Sequence, residues 1–357
     1  SLERWRTLAY ADLAFEVMRL FADDICADDL RAIIGKSYGV FRHPEVTPVV
    51  EVGPVHVLEL FHGPTLAFKD VALQFLGNLF EHILDETGGS MNIVAATSGD
   101  TGSAAIYGVR GRGRMRIFVM HPRGRVSPVQ ELQMTTVTDA NVHNLAVEGT
   151  FDDCQNIVKA LFNDLAFRDE CALGAVNSIN WARVLAQIVY YFYAAFRVMD
   201  KSGASKVSFA VPTGNFGDIF AGYVACRMGL PVERLVLATN ENDILARYFN
   251  SGEYRPGAVA VTLSPSMDIQ VSSNFERYLY CLADTDPRQV RQWMEGLRRG
   301  GVIETPGACH GCLSAGRGDT AATLDTIRAF WVRHNYLLDP HTAVGVAVGA
   351  RFLDGSV

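Results

Sequence analysis

The sequence predicts an α/β protein with mainly parallel sheets. Apolar strand-like segments alternate with helix-like segments from residue 66 to about residue 240, and this alternation is typical of βα units. Several strand-like segments are continuous apolar runs, as expected for strands buried on both faces. A chain of 357 residues with 49% hydrophobic residues is long enough for two domains or one large domain with a sizeable core.

The expected elements follow the chain in order. An amphipathic helix over residues 1–21 and a second helix over residues 27–41 precede two strand-like pieces in residues 46–61. Strands are then expected at residues 91–97, 115–121, 141–148, 173–179, 206–212 and 233–240. The helices between them are expected at residues 101–109, 129–136, 151–167, from residue 181 onward, and 216–229. After about residue 240 the pattern becomes helical, over residues 243–249, 274–283, 286–300, 320–334 and 342–353.

Composition and charge exclude several functions. The net charge of −7 and the pI near 5.7 argue against nucleic-acid or acidic-membrane binding, which needs a basic face. Seven scattered cysteines indicate reduced thiols and a cytoplasmic setting. Cys309 and Cys312 form a lone CxxC without a second ligand pair, so no metal is expected. The apolar run after Trp181 is too short to span a bilayer.

The segment FHGPTLAFKD, residues 61–70, places Lys69 at the beginning of a helix. Gly63 and Pro64 indicate a turn, Thr65 can cap the helix, and apolar residues recur at helical spacing from Leu66 to Phe80. Burial disfavours the charged form of a lysine and makes its amine a better nucleophile toward a carbonyl group. The alternative is a lysine that extends to solvent from a helix end. That alternative is weakened because only five of the 32 basic residues are lysines.

Two further strand-to-helix turns are candidate anion sites, because ligands bind at the carboxyl ends of parallel strands. Thr97, Ser98 and Thr101 offer hydroxyls at a helix N-terminus. Such a turn alone is often only a helix cap, and Asp100 could be the N-cap without any ligand. In PTGNFGD, Gly214 and Gly217 allow the backbone to approach a phosphate. A buried lysine and a phosphate turn together are the parts needed to hold a phosphorylated aldehyde.

A third turn, NSINWAR, also joins a strand end to a helix start. Asn177, Ser178 and Arg183 could bind a second anion, with Arg183 suited to bidentate contact. The alternative is a helix cap followed by a surface arginine. On this stretch alone the two interpretations are about equal.

These segments resemble threonine synthases of the bacterial and fungal type. The similarity includes FHGPTLAFKD, ATSGDTGSAA, HPRGRVSPVQELQM, NSINWARVLAQ, VPTGNFGDIFAGY, LATNENDIL, SPSMDIQVSSNFERYL and LDPHTAVG, in this order and over nearly the whole chain. FHGPTLAFKD and SPSMDIQVSSNFERYL are not shared by the wider set of fold-type II enzymes that use pyridoxal 5′-phosphate.

The resemblance implies a fold-type II enzyme, similar to the tryptophan synthase β subunit, with pyridoxal 5′-phosphate attached to Lys69 in a cleft between two domains. Residues 1–82 and 181–357 would form the large domain, and residues 83–180 a small mobile domain. The cofactor phosphate would lie on Gly214, Asn215, Phe216, Gly217 and Asp218. Thr97, Ser98, Thr101, Asn177, Ser178 and Arg183 match positions that bind the substrate phosphate or carboxylate in relatives.

The implied reaction converts O-phospho-L-homoserine and water into L-threonine and phosphate, the last step of threonine biosynthesis. Lys69 would act as general base at Cα and then at Cβ. Asp100 stands where many fold-type II enzymes have Asn, so it could contact the cofactor hydroxyl or only cap its helix. Relatives extend beyond both ends of this sequence and carry a C-terminal segment beside the cofactor ring nitrogen, so a trimmed chain is expected. The alternatives are a related dehydratase or cysteine synthase activity, or a non-catalytic relative.

Overall fold

A computed structural model describes residues 2–307 and 310–353. The chain forms two compact units, one of residues 1–48 and 58–190 and one of residues 49–57 and 191–357. These two units are defined by how densely their residues contact one another. Their boundaries differ from those of the predicted large domain and small mobile domain, and the predicted domains stay a prediction. No helix in residues 2–307 or 310–353 is long and apolar enough to cross a membrane.

The helices and strands are numbered in chain order. The α-helices are α1 Leu2–Trp5, α2 Tyr10–Met18, α3 Ala27–Tyr38, α4 Asp70–Thr87, α5 Asp100–Val109, α6 Pro128–Thr135, α7 Phe151–Asn163, α8 Leu165–Glu170, α9 Trp181–Ser202, α10 Gly217–Arg227, α11 Ile244–Ser251, α12 Phe275–Leu282, α13 Pro287–Arg298, α14 Thr320–His334 and α15 Pro340–Gly349. The strands are β1 Val49–Val52, β2 Val55–Leu58, β3 Met91–Ala96, β4 Met115–Pro122, β5 Val142–Val147, β6 Leu173–Gly174, β7 Val207–Pro212, β8 Val232–Thr239, β9 Glu253–Tyr254, β10 Ile303–Glu304 and β11 Leu313–Arg317.

The first unit contains a parallel sheet in the order β5-β4-β3-β6. Its core is formed by apolar residues of α4, α5 and the sheet, including Leu73, Ile106, Ile93 and Ile117. Ala96 at the end of β3 pairs with Met120 of β4. The turn that follows β3 therefore lies at the carboxyl edge of this sheet, where parallel folds place ligands.

The second unit contains a parallel sheet in the order β11-β8-β7. Helix α15 packs on this sheet through Val344 and Val348, which join a buried cluster with Val236, Ala238 and Met267. Strands β9 and β10 form a small antiparallel pair, and β1 and β2 form another two-stranded sheet. The predicted fold class is thus confirmed, with parallel sheets built from βα units.

Some element predictions are wrong. The helix expected over residues 1–21 is divided into α1 and α2, and the helix expected over residues 151–167 is interrupted at Asp164. The Asp164 carboxylate accepts a hydrogen bond from Phe167 N, which caps α8 instead of continuing α7. The strand expected over residues 173–179 is only the two-residue β6, and β11 was not predicted at all.

Candidate active site

Lys69 lies at the N-cap position of α4, and the turn before it is fastened to the first residue of that helix. The Asp70 carboxylate, which is fully buried, accepts hydrogen bonds from Thr65 N at 2.7 Å and from Thr65 Oγ1 at 2.8 Å. A Cβ atom on Gly63 would collide with the Asp70 side chain, so only glycine allows this close approach. Thr65 thus fixes the turn by donating to Asp70, and no side chain caps α4.

The prediction that Leu66 belongs to the buried helical run is wrong. Leu66 precedes α4, has a positive φ of 62° and is 53% exposed. Within α4 the apolar positions from Val71 to Leu76 are buried as predicted. The turn therefore exposes one leucine while directing Lys69 inward.

The Lys69 amine lies in a buried, charged environment. Its side chain is 12% exposed and forms an ion pair with Asp100, and Nζ lies 5.2 Å from the centre of the Phe68 ring. Burial lowers the pKa of the Lys69 amine, Asp100 opposes this shift, and the positive charge of Arg183 lowers the pKa further. The alternative of a lysine extending to solvent is therefore wrong, because the amine is enclosed.

The turn between β3 and α5 is shaped by Thr97. The Thr97 side chain is buried, and its Oγ1 accepts hydrogen bonds from Gly99 N at 3.0 Å and Gly102 N at 2.9 Å. Ser98 is exposed, and Thr101 Oγ1 lies 3.5 Å from Asp100 Oδ1. Thr97 holds the turn through its own backbone, while Ser98 and Thr101 lie where a ligand could contact them.

Asp100 is the first residue of α5 and does not cap the helix. The N-cap position is Gly99, and no side chain makes a capping hydrogen bond there. The Asp100 carboxylate accepts a hydrogen bond from Lys69 Nζ instead. The interpretation of Asp100 as only a helix cap is therefore wrong, and its contact with the cofactor hydroxyl stays a prediction.

The turn before α9 buries an arginine. Asn180 Oδ1 accepts a hydrogen bond from Ala182 N at 3.0 Å and Asn177 Oδ1 accepts one from Ile179 N at 3.2 Å. Ser178 is partly buried. Arg183 is only 6% exposed, so the alternative of a surface arginine is wrong. Burial lowers the pKa of its guanidinium to about 10, against the opposing effect of Asp100.

The Arg183 guanidinium has no ion-pair partner within 4.0 Å among residues 2–307 and 310–353. The negative charge of Asp100 acts on Arg183, but Asp100 is also ion-paired with Lys69, and a buried charge that is only partly neutralised is costly. An arginine in this situation is a candidate for binding an anion that is not part of the chain. Sequence reasoning identified Arg183 but did not identify Asn180, although an Asn just before a helix is a recognisable capping signal.

In the second unit, the turn Gly214–Asp218 joins β7 to α10. A Cβ atom on Gly214 would lie 2.7 Å from Ser266 O and 3.0 Å from Met267 Cα, so glycine is required here. Phe216 is buried, has a positive φ of 62° and packs against the rings of Phe249 and Phe275. Phe216 anchors the turn in an aromatic cluster.

The beginning of α10 has donors that suit a phosphate. Phe216 is the N-cap residue and makes no side-chain capping hydrogen bond, so its side chain satisfies none of the first backbone N–H groups of α10. Such groups at a helix N-terminus bind phosphate. The Asp218 carboxylate accepts a hydrogen bond from the Tyr191 hydroxyl at 2.9 Å.

A second loop holds the Gly214–Asn215 backbone in place. Ser272 Oγ donates to Gly214 O at 2.8 Å, and Asn274 donates to Asn215 O from its backbone N at 3.0 Å and from Nδ2 at 3.1 Å. Sequence reasoning placed these residues in SPSMDIQVSSNFER but gave them no role. Their contribution could not be recognised, because it depends on contacts between distant segments.

Each unit, taken by itself, carries a feature that suits one part of a phosphorylated aldehyde. The first unit supplies an enclosed amine with a lowered pKa, which is suited to attack on a carbonyl carbon. The second unit supplies a glycine turn and a helix N-terminus without a capping side chain. Pyridoxal 5′-phosphate contains both an aldehyde and a phosphate.

Comparisons with known proteins identify the class of enzyme. Residues 40–356 match the family of pyridoxal-phosphate dependent enzymes, and residues 1–38 match the N-terminal domain of threonine synthase. The fold is similar to the crystal structure of threonine synthase from Brucella melitensis with pyridoxal phosphate bound, with a TM-score of 0.94, 49% identity, and coverage of 98% of this chain and 76% of that one. This protein is therefore a fold-type II enzyme that uses pyridoxal phosphate.

Curated relatives identify the family within this class of enzymes. The chain is 48% identical to threonine synthase from Schizosaccharomyces pombe, over 99% of this chain and 76% of the relative. It is 49% identical to threonine synthase from Pseudomonas aeruginosa, over 97% of this chain and 75% of the relative. The chain belongs to the threonine synthase family. Its activity is that of a lyase in threonine biosynthesis.

Cys309 of the CxxC pair lies outside the described residues. Cys312 is partly buried. Burial raises the pKa of the Cys312 thiol to about 12, which leaves it protonated near neutral pH.

Proposed function

We propose that the residues around Lys69 and Gly214 convert O-phospho-L-homoserine and water into L-threonine and phosphate. The observation that carries this proposal is the enclosed Lys69 amine between an acidic and a basic partner, Asp100 and Arg183. The family relationship supports the same reaction.

The cofactor is held through its two ends. Lys69 attaches its aldehyde, and the turn of Gly214, Asn215, Phe216, Gly217 and Asp218 receives its phosphate. In this turn the backbone N–H groups are the donors, Phe216 is the anchor and the Asp218 side chain is engaged by Tyr191. When bound, the cofactor supplies an electron-accepting ring that stabilises negative charge at the substrate carbons.

The substrate anions are bound by residues of the two turns in the first unit. Arg183 pairs with the substrate phosphate, because it is buried and, within the described residues, forms no ion pair closer than 4.0 Å, while Asp100 is already paired with Lys69. Further hydrogen bonds to the substrate anions come from the polar side chains of the same two turns, Asn177, Ser178, Ser98 and Thr101. Thr97 contributes by holding the β3–α5 turn in shape.

Lys69 and Asp100 handle the protons. The freed Lys69 amine removes a proton from Cα and then one from Cβ, and Asp100 accepts the hydrogen bond of the resulting ammonium group. The Cγ–O bond then breaks and phosphate leaves. A proton adds to Cγ, water adds its oxygen to Cβ and loses a proton, and Cα is protonated again, which gives L-threonine.

Exclusion of water protects the reactive intermediates of these reaction steps. We propose that residues 83–180 form a small mobile domain, and that residues 1–82 and 181–357 form the large cofactor-binding domain. The protein is proposed to act in the cytoplasm, where its thiols stay reduced. The free cysteines in the described part of the chain are compatible with this setting.

The test is phosphate release from O-phospho-L-homoserine by the holoenzyme, compared with elimination from L-threonine. The proposal predicts phosphate release with L-threonine as product, and dehydration of threonine that is slower by at least about 100-fold, in line with the discrimination that specific polar contacts provide. Lys69→Ala should abolish both cofactor attachment and turnover, whereas the exposed Lys36→Ala should change neither. Normal turnover in Lys69→Ala would contradict the mechanism.

A further inference from the structure

The turn that we assign to the cofactor phosphate rests on a short 3₁₀ helix, Pro265–Met267. The carbonyl oxygen of Ser266 would lie 2.7 Å from a Cβ atom on Gly214, so the two backbones are in contact. A shift of Ser266 away from β7 would remove the support beneath Gly214. Ser272 and Asn274 hold the carbonyl groups of this turn, and Ser266 supports it at Gly214, so the position of the turn depends in part on what holds Ser266.

One side chain holds the Ser266 backbone from α15. Ser266 N donates a hydrogen bond to His341 Nε2 at 3.2 Å. His341 Nδ1 lies 3.1 Å from Asp339 Oδ1, and Asp339 is the N-cap of α15, accepting hydrogen bonds from His341 N and Thr342 N. A neutral imidazole that donates from Nδ1 to a carboxylate must accept at Nε2. Asp339 thus selects the tautomer that can bind Ser266 N–H.

The other end of the 3₁₀ helix is held independently. Asp268 accepts hydrogen bonds from Asn240 Nδ2 at 2.8 Å and from Thr262 Oγ1 at 2.7 Å. The loss of His341 would therefore remove the acceptor of the Ser266 N–H and leave the hydrogen bonds of Asp268 in place. This arrangement makes the contribution of His341 separable from the general stability of the loop.

We propose that His341 is a positioning residue for the cofactor-phosphate turn, acting through the Ser266 backbone on Gly214. The inference rests on the proposed role of Gly214–Asp218 in phosphate binding. His341 itself contacts neither cofactor nor substrate in this scheme. Its effect is specific for the phosphate end of the cofactor, since Ser266 packs against the turn that binds that end.

The test compares two forms of the cofactor, with and without its phosphate. Holoenzyme variants are dialysed against graded concentrations of pyridoxal 5′-phosphate or of pyridoxal, and the visible absorption band of the lysine-bound form measures occupancy. His341→Ala should weaken retention of pyridoxal 5′-phosphate roughly 10-fold, in proportion to one lost hydrogen bond. Retention of pyridoxal should stay unchanged.

Two further variants control for folding. His341→Gln places Oε1 near the position of Nε2, where it can accept from Ser266 N–H, so it should restore retention to within about threefold. His334→Ala removes an imidazole from α14 of the same unit and should not change the ratio of the two affinities. Equal weakening of both cofactor forms in His341→Ala, or no rescue by His341→Gln, would overturn the inference.

Gly214→Ala separates this inference from the proposed function. Loss of the phosphate preference in Gly214→Ala but not in His341→Ala would reject the positioning role and keep the phosphate turn. If Gly214→Ala kept the full preference for pyridoxal 5′-phosphate over pyridoxal, the assignment of the turn itself would be wrong. In that case the role of His341 would fail with it.

Discussion

Lys69 and Asp100 form an ion pair in which both side chains are largely withdrawn from water, at 12% and 25% exposure. Arg183 acts on the same amine with opposite sign, so the Lys69 pKa is set by burial and by two competing charges. A buried lysine without Asp100 would lose its proton more readily. The pair therefore balances nucleophilicity against the ability to keep a transferred proton.

This balance predicts opposite pH shifts for two variants. Asp100→Asn removes the charge that raises the Lys69 pKa, so cofactor attachment should reach its half-maximal rate at a lower pH. Arg183→Gln removes a charge that lowers the Lys69 pKa, so the midpoint should move to higher pH. Borohydride trapping of attached cofactor across pH gives both midpoints, and shifts in the same direction would contradict this account.

Arg183 should matter more for substrate than for cofactor. Loss of a buried charge-assisted hydrogen bond to phosphate costs about 1.5–3 kcal/mol, so Arg183→Ala should raise KM for O-phospho-L-homoserine roughly 10- to 150-fold. Inhibition by inorganic phosphate should weaken in parallel. Equal losses in substrate and cofactor affinity would show instead that Arg183 is structural.

Gly214→Ala should weaken cofactor binding, because the new methyl group would lie 2.7 Å from Ser266 O. The backbone must shift to relieve this contact, and the phosphate donors shift with it. Gly113→Ala is the matched control, since a Cβ there meets no atom within 4 Å. Absorbance titration of both variants tests the difference, and equal affinities would mean that the turn tolerates displacement.

Thr65→Val should destabilise the fold in a pH-dependent way. Burial raises the Asp70 pKa, and the hydrogen bonds from Thr65 limit that rise. An acid with a raised folded-state pKa costs stability as pH rises through that pKa. Removing the hydroxyl raises the pKa further, so the variant should lose about 1.5–3 kcal/mol of unfolding free energy near pH 8 and less near pH 4.

Urea unfolding of Thr65→Val at the two pH values provides the measurement. Thr65→Ser keeps the hydroxyl and should behave nearly as the parent protein. A loss that is equal at both pH values would mean that the threonine methyl group, rather than its bond to Asp70, is responsible.

The sequence was most informative where a local pattern sets the structure. Lys69 was located by its turn and apolar neighbours, and six strand predictions correspond to β3 through β8, although β6 is shorter than expected. Strand β11 was missed because LSAGR has no β-branched or aromatic residue. It becomes a strand only by pairing with β8, which a local pattern does not reveal.

In the candidate active site, too, residues in local turns were predicted and contacts between distant segments were not. Gly214 was identified from its turn, whereas the contacts of Ser272, Asn274 and His341 join segments that are far apart in the sequence. Asp100 was placed in the right turn, but its partner could not be derived, because Lys69 precedes it by a whole helix and strand. A local sequence pattern indicates which residues can belong to a site. The contacts that these residues make are set by tertiary packing.

The order β11-β8-β7 has a consequence for synthesis on the ribosome. Leu235 of β8 pairs with Leu313 of β11, so β8 has an open edge until the chain beyond residue 317 has emerged. An uncovered apolar strand edge can pair with the wrong neighbour, and such long-range pairing forms slowly. We therefore expect a nascent second unit with an uncovered β8 edge to be vulnerable to aggregation, and a chaperone that shields this edge to raise the yield of folded protein.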